Sequence, residues 1–288
     1  MHHRAKKSLG QNFLIDGNLQ RKIVEALGLR PEDEVLEVGP GKGALTRHMV
    51  GRCRRLVLVE LDSELAKALE AEYRMDPSVE VIPGDILDTH PNRIFTHVPA
   101  LKVVGNIPYN ITTPILFHLL TSPRPQEILL MVQREVGERM LAQPGTSAFG
   151  ALTVGVQTVA EAERVLRVPS SAFRPVPAVE SVVVRIRPHH PPRLSAEEEE
   201  DLRLLTRSAF QKRRKQFQSI LRSRPEAPLS HAEIEALESR TGFDLKRRPE
   251  TFSPAEFLLL SRTLRSLHLH HPRPENPLST GEEIGRRD

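Results

Sequence analysis

The sequence has one cysteine, no tryptophan and two tyrosines among its 288 residues. Its single cysteine, Cys53, excludes an intramolecular disulfide and a cysteine-rich zinc site. No apolar run approaches the length of a membrane span, and the first residues, MHHRAKKSLG, lack the apolar core of a signal peptide. The histidines are scattered without zinc-ligand spacing, so we expect no metal site. Together these absences favour a cytoplasmic globular protein that does not enter membranes.

Positive charge is unevenly distributed along the chain. The formal net charge is only +4, yet the isoelectric point is about 9.4. Residues 212–215 read KRRK, and residues 246–248 read KRR. Basic clusters of this kind indicate a polyanionic partner, although solvated helix faces look the same in sequence.

Short apolar runs alternate with helix-like segments over the first two thirds of the chain. The predicted strands are 34–38, 55–61, 79–85, 101–106, 127–132 and 182–188, and the predicted helices are 18–27, 43–52, 62–73 and 133–141. Residues 151–159 fit either a strand or a helix. Strands that alternate with helices predict an α/β fold with a parallel, doubly wound sheet.

A change in pattern divides the chain near residue 190. Residues 188–195, PHHPPRLS, read as a linker. Three helices are predicted after it, 196–221, 231–240 and 254–267, with no strand signal. We therefore expect a flexible N-terminus at 1–8, an α/β domain at 9–188, a small all-helical domain at 189–268 and a disordered tail at 269–288.

A glycine-rich stretch, VLEVGPGKGALT, places Gly39 and Gly41 between a predicted strand and helix. Such a loop at the carboxyl end of the first strand is where open α/β sheets bind nucleotides. Glu60 ends the next strand, where a carboxylate can accept hydrogen bonds from ribose hydroxyls. Spacing alone leaves a dinucleotide open, but the pattern is G-x-G-x-G, and Glu37 would repel a pyrophosphate. S-adenosylmethionine, which is cationic and carries no phosphate, fits better.

Asp85 and Ile86 follow the third strand in the sequence GDIL. An aspartate there can accept from an adenine amino group while the isoleucine packs on the ring. Each acid alone reads as a solvated strand end. Acids at the ends of three successive strands favour a ligand site.

The stretch GNIPYN joins an amide, a rigid proline turn and an aromatic ring at the end of the fourth strand. The Asn106 side-chain carbonyl can accept one N–H of an exocyclic amine, and the Ile107 or Pro108 backbone carbonyl can accept the other. Tyr109 can stack on the base. The combination is suited to a flipped adenine as methyl acceptor, although by itself it also reads as an ordinary turn.

Seven stretches occur in an order that resembles the small-subunit ribosomal RNA adenine N6-dimethyltransferase family over residues 7–267: SLGQNFL, VLEVGPGKGALT, VELD, GDIL, GNIPYNITTPILFHLL, SAFRPVPAVES and AFQKRRKQFQSIL. The resemblance implies a seven-stranded, mostly parallel class I methyltransferase sheet. It also implies S-adenosylmethionine-dependent dimethylation of two adjacent adenosines near the 3′ end of small-subunit rRNA. The expected partner is the immature 30S particle, and this protein is expected to bind it as a monomer.

The same resemblance assigns residues to roles. Cofactor binding is expected of Asn12, Leu14, Glu37, Gly39, Gly41, Glu60, Leu61, Asp85, Ile86 and Asn106. Catalysis is expected of Asn106, Pro108, Tyr109 and Phe173, with Phe173 stacking on the target base opposite Tyr109. The basic clusters themselves, rather than the resemblance, predict RNA binding by Arg207, Lys212, Arg213, Arg214, Lys215, Arg247 and Arg248. Helical spacing further predicts that Arg207, Gln211, Arg214 and Lys215 share one exposed helix face.

The sequence departs from the family pattern at two places. Ala178 and Glu180 stand where the family commonly has lysine and aspartate, and Gln218 and Ser219 stand where arginine and asparagine are frequent. The rival interpretations are a macrolide-resistance methyltransferase of the large subunit and a non-catalytic RNA-binding assembly factor on the same fold. A dinucleotide-dependent dehydrogenase is more distant.

Overall fold

The computed structural model describes residues 11–212, 214–224 and 227–267. The chain divides into two compact units, Met1–Glu197 and Glu198–Asp288. The predicted flexible N-terminus and the predicted disordered tail lie outside the described residues. Within the described residues, no helix combines the length and apolarity needed to cross a membrane.

The first unit contains all the strands of the described residues. They are β1 (Phe13–Leu14), β2 (Glu34–Val38), β3 (Arg55–Glu60), β4 (Val79–Pro83), β5 (Lys102–Asn106), β6 (Glu127–Gln133), β7 (Ala160–Val168), β8 (Phe173–Arg174) and β9 (Ser181–Pro188). Seven of them form one sheet in the order β4-β3-β2-β5-β6-β9-β7, and β1 pairs separately with β8. Neighbours from β4 to β6 are parallel, whereas β9 is antiparallel to both β6 and β7. The predicted mostly parallel, seven-stranded sheet is confirmed.

Helices connect the strands of the first unit and make up the second. They are α1 (Gly17–Ala26), α2 (Thr46–Met49), α3 (Ser63–Tyr73), α4 (Thr112–Leu119), α5 (Arg134–Met140), α6 (Ala151–Gln157), α7 (Ala196–Gln211), α8 (Phe217–Arg222), α9 (His231–Thr241) and α10 (Pro254–Ser266). Several of these helices have a side-chain cap at the N-terminus. Asp16 accepts from two amides of α1, and Ser230 and Ser253 form capping boxes on α9 and α10. These caps satisfy amides that would otherwise have no partner at a helix start. The predicted C-terminal helical region is confirmed.

The structure differs from the sequence-based prediction in three places that have a clear physical reason, and it also contains α4, β1 and β8, which were not predicted. The helix after the glycine loop covers only α2, because the loop backbone runs through left-handed glycines at Gly41 and Gly43, with φ of 60° and 69°. The ambiguous segment is helix α6, and strand β7 directly after it was not predicted. That strand lies at the sheet edge and carries charged residues on its exposed face, which hides the alternation that marks a strand.

The third difference is a break in the predicted helix 196–221. Helix α7 ends at Gln211 and α8 begins at Phe217. The amides of Phe217 and Gln218 donate to the carbonyls of Arg247 and Leu245 at 2.9 and 2.8 Å. Phe217 is fully buried and its ring packs against those of Phe252 and Phe257. The buried ring and these two backbone bonds hold the start of α8 beside residues 245–247.

Candidate active site

The glycine loop leaves the end of β2 and turns back toward β3. The Gly39 amide donates to the Val59 carbonyl of β3 at 2.9 Å. Gly39 and Gly41 have φ of 65° and 60°, a region that favours glycine because other residues suffer a Cβ clash. The loop backbone is therefore open to close approach by a ligand.

Glu60, at the end of β3, holds this loop in place. One carboxylate oxygen accepts from the Gly41 amide and the other from the Asp62 amide, both at 2.9 Å. The side chain is buried. Glu60 also lines the cavity, where a carboxylate is a suitable acceptor for a hydroxylated ligand.

Glu37, on β2, is buried beside Glu60. The Thr46 hydroxyl donates to its carboxylate at 2.7 Å. Burial, with a smaller contribution from the Glu60 charge, raises the pKa of Glu37 from 4.5 to about 8. Glu37 is thus held protonated at neutral pH until a positive charge reaches it.

Asp85 begins a short 3₁₀ turn, Ile86–Asp88, directly after β4. One of its carboxylate oxygens accepts from the Leu87 amide at 2.9 Å, which fixes the side chain at the start of the turn. Ile86 is buried, while Leu61 after β3 is about half exposed. This wall offers one acceptor between two apolar side chains, as a flat heteroaromatic ring requires.

The N-terminal segment lies over the glycine loop. A Cβ added at Gly41 would come within 3.3 Å of the Phe13 ring, so the glycine permits this contact. The Lys42 ammonium lies 4.7 Å from the centre of the same ring. Pairing of β1 with β8 anchors the segment from the other side.

Asn106, at the end of β5, is oriented by this segment. Its side-chain NH₂ donates to the backbone carbonyl of Asn12 at 3.0 Å. Only the amide nitrogen can donate to a carbonyl, so the side-chain oxygen is left as an acceptor. This is the orientation that an exocyclic amine requires.

The turn after Asn106 distinguishes between the two predicted backbone acceptors. The Pro108 carbonyl accepts from the Ile111 amide at 3.2 Å and from the Thr112 hydroxyl at 3.3 Å. Both of its lone pairs are therefore used. The Ile107 carbonyl has no hydrogen bond within the described part of the chain, which makes it the better acceptor, while Pro108 fixes the turn.

All of these groups meet around one cavity of about 500 Å³. Each of the ten residues predicted to bind the cofactor lines it, and so do Pro108 and Tyr109. Phe173 does not. Its side chain is fully buried in the apolar cluster that includes Leu14 and Ile23. Stacking of Phe173 on a target base stays a prediction, and it requires the ring to leave this cluster.

Comparison with known proteins identifies the family. The family described as "Ribosomal RNA adenine dimethylase" matches residues 2–265. The chain belongs to this family. Among its curated relatives, the "Ribosomal RNA small subunit methyltransferase A" of Geobacter metallireducens is 40% identical over 92% of this chain and 97% of the relative. The protein of the same name from Laribacter hongkongensis is 42% identical over 90% and 95%.

Two solved methyltransferase structures share the fold. A dimethyladenosine transferase from Plasmodium falciparum is 25% identical, with a TM-score of 0.73 over 90% of this chain and all of that chain. The 23S rRNA methyltransferase ErmE is 30% identical, with a TM-score of 0.66 over 88% of this chain and all of that chain. The chain is therefore an adenine dimethylase with a class I methyltransferase fold.

Among the cavity residues of this adenine dimethylase that sequence reasoning missed is Gln20 on α1. Its side-chain NH₂ donates to the Leu14 carbonyl at 2.9 Å, and its oxygen lies 3.2 Å from the His48 ring. The side chain is buried and lines the cavity. Gln20 therefore ties the N-terminal segment to α1 and α2. Only its place on the apolar face of a predicted amphipathic helix could have indicated burial.

In the second unit, the predicted RNA-binding residues are not on one helix. Arg207 is exposed on α7, whereas Lys212, Arg214 and Lys215 lie in the connection to α8, and Arg213 lies outside the described residues. The predicted shared helix face of Arg207, Arg214 and Lys215 is therefore wrong, because α7 ends first. The backbone bonds from Phe217 and Gln218 instead bring this connection beside residues 245–247.

The Arg247 side chain makes several contacts within the second unit of the adenine dimethylase. Its guanidinium pairs with Glu256 at 2.8 Å, donates to the Thr251 carbonyl at 2.6 Å and lies 4.0 Å from the centre of the Phe252 ring. Arg248 is exposed and pairs with no carboxylate within the described residues. Of the two neighbours, Arg248 is the one available to a phosphate.

Proposed function

We propose that the protein uses S-adenosylmethionine to dimethylate N6 of two adjacent adenosines near the 3′ end of small-subunit rRNA. The observation that carries this proposal is the orientation of Asn106. Its NH₂ is bound to the Asn12 carbonyl, so its oxygen is an acceptor beside the Tyr109 ring in the cavity. The names of the relatives from Geobacter metallireducens and Laribacter hongkongensis support the small subunit as the substrate.

The residues of the cavity fit S-adenosylmethionine, which supplies the electrophilic methyl group when bound. Glu60 would accept from the ribose hydroxyls, and Asp85 from the adenine amine between Leu61 and Ile86. The glycine loop at Gly39 leaves room for the methionine portion. Glu37 is a buried acid that ionises readily when a cation is near, so it suits a ligand with an ammonium and a sulfonium.

The target amine needs positioning more than a strong base. The lone pair of an adenine amine is delocalised into the ring, and acceptors on both N–H groups favour the more tetrahedral nitrogen in which the lone pair is freed. The Asn106 oxygen and the Ile107 carbonyl would be those acceptors, since both residues line the cavity. Tyr109 supplies a stacking surface, and the amine proton becomes acidic after transfer.

The raised pKa of Glu37 predicts that cofactor binding releases a proton. Between pH 4.5 and 8 the folded protein keeps a proton that the unfolded chain has lost, so the contribution of Glu37 to stability falls as the pH rises through this range. A bound cation lowers the pKa again. We expect cofactor affinity to rise with pH up to about 8, by at most about tenfold per pH unit.

Isothermal titration at pH 7 in buffers of different ionisation enthalpy measures this release. Wild type is expected to release close to one proton more than Glu37→Gln, whose amide keeps the Thr46 bond without titrating. Equal release from both proteins would show that Glu37 does not lose its proton on binding.

The exposed basic residues of the second unit are proposed to bind RNA phosphates. Arg207, Arg214 and Lys215 make no ion pair within the described residues. Their replacement by glutamine should weaken binding to small subunits and flatten its dependence on salt. Each lost phosphate contact lowers the slope of log K against log salt by about 0.7–0.9.

A matched control removes three cations that already have carboxylate partners in the same unit, namely Arg203, Arg262 and Arg265. Filter binding over a salt series compares the two triple variants. A slope that changes equally in both would mean that only net charge matters, and an unchanged slope in the first would remove this surface from the RNA interface.

A large-subunit adenine methyltransferase is the second candidate, since ErmE shares 30% identity with this chain. Transfer of labelled methyl groups to undermethylated small subunits and to large subunits, followed by nucleoside analysis, separates the two. We expect dimethyladenosine in the small subunit only. We also expect the enzyme to act as a monomer in the cytoplasm, and label confined to large subunits would refute the proposal.

A further inference from the structure

The Tyr109 ring is held by a contact from a distant part of the chain. Its hydroxyl lies 2.6 Å from the Ser181 hydroxyl, although the two residues are 72 positions apart. Ser181 is fully buried. Within the described residues, Tyr109 is the only hydrogen-bond partner of the Ser181 side chain.

Ser181 is fixed by the sheet. It is the first residue of β9, where it pairs with Gln133 of β6 on one side and Val168 of β7 on the other. Just before it, the Glu180 carbonyl accepts from the Arg134 amide at 2.9 Å. The Ser181 hydroxyl therefore has little freedom to move relative to the cavity.

The backbone around Tyr109 is held by fewer contacts than the sheet position of Ser181. It begins a three-residue 3₁₀ turn, Tyr109–Ile111, whose preceding residue provides no side-chain cap. The ring lines the cavity on one side. Burial raises the pKa of the Tyr109 phenol, so its proton is retained for the hydrogen bond at neutral pH. Without the bond to Ser181, swinging of the whole ring about the Cα–Cβ bond would be limited only by packing.

We propose that Ser181 is a positioning residue that fixes the Tyr109 ring, by its hydroxyl end, in the place where it can stack on the target adenine. This inference rests on the proposed function, because a stacked base gives the ring orientation its value. Ser181 is the last residue of the SAFRPVPAVES stretch, and this role for it is separate from the role expected of Phe173.

A double-mutant cycle tests the proposal. Ser181→Ala should lower kcat/KM on undermethylated small subunits about tenfold, since it leaves a half-buried phenol without its partner. The dissociation constant for S-adenosylmethionine should not change. In the Tyr109→Phe background, Ser181→Ala should have no further effect. An equal loss in both backgrounds, or a loss matched by weaker cofactor binding, would overturn the proposal.

Tyrosine fluorescence provides a readout independent of activity. The chain has no tryptophan and two tyrosines, so Tyr73→Phe leaves Tyr109 as the single strong emitter. Ser181→Ala in that background should speed the local component of the anisotropy decay, and an unchanged decay would contradict the inference. If wild type fails to methylate small subunits, the proposed function falls, while this measurement still decides the role of Ser181.

Discussion

Replacement of Asn106 by alanine is expected to lower the single-turnover rate of methyl transfer by at least about 100-fold at saturating S-adenosylmethionine, because mispositioning by about 1 Å has that effect. The substitution removes the acceptor for one N–H of the target amine. It also removes the hydrogen bond to the Asn12 carbonyl, so the N-terminal segment loses a tether to β5. Cofactor affinity should fall much less than the rate.

Asn92→Ala is the matched control, because Asn92 is exposed on a 3₁₀ turn and does not line the cavity. Its rate should equal that of wild type. Rapid-quench measurement with excess enzyme isolates the chemical step from product release. A rate for Asn106→Ala within a few-fold of wild type would refute the role of this amide in holding the amine.

Replacement of Glu60 by alanine is expected to weaken S-adenosylmethionine binding by about 10- to 100-fold, since hydrogen bonds to a charged group are worth about 1.5–3 kcal/mol. Two effects add. The ribose loses its acceptor, and the amides of Gly41 and Asp62 lose the carboxylate that holds the glycine loop. Glu60→Gln should lose less, because its amide oxygen still accepts one of these bonds.

Glu70→Ala serves as the control for net charge, because Glu70 is an exposed acid on α3, the helix that follows Glu60. Isothermal titration gives the affinities. Hydrogen exchange at the Gly41 amide in ligand-free protein separates the two effects, since only the loss of the loop contact speeds it. Unchanged affinity in Glu60→Ala would remove Glu60 from the cofactor site.

The sequence could predict the cofactor side of the cavity because its signals are local. Glycines and acids stand at the ends of successive strands, and parallel strands bring those ends to one edge of the sheet. Glu37, Glu60 and Asp85 are together for that reason. The sheet was predictable on the same grounds, apart from its charged edge strand β7.

The contacts that orient the reacting groups could not be predicted from the sequence. Asn106 meets Asn12 across 94 positions, and Tyr109 meets Ser181 across 72. No sequence spacing or local composition indicates that either pair of residues is in contact. Motif reading also says nothing of which way a phenylalanine points, and Phe173 lies in the core. The break between α7 and α8 depends on burial of Phe217, which local helix propensity does not report.

The hydrogen bond from Asn106 to the Asn12 carbonyl fixes the rotation of the Asn106 side-chain amide. The terminal torsion of asparagine is broad and roughly two-fold, so an unrestrained amide exchanges its oxygen and nitrogen with little cost. The Asn12 carbonyl selects one of the two orientations only while the N-terminal segment is seated over the glycine loop. The amide therefore presents an acceptor, rather than a donor, at the place where the base would arrive.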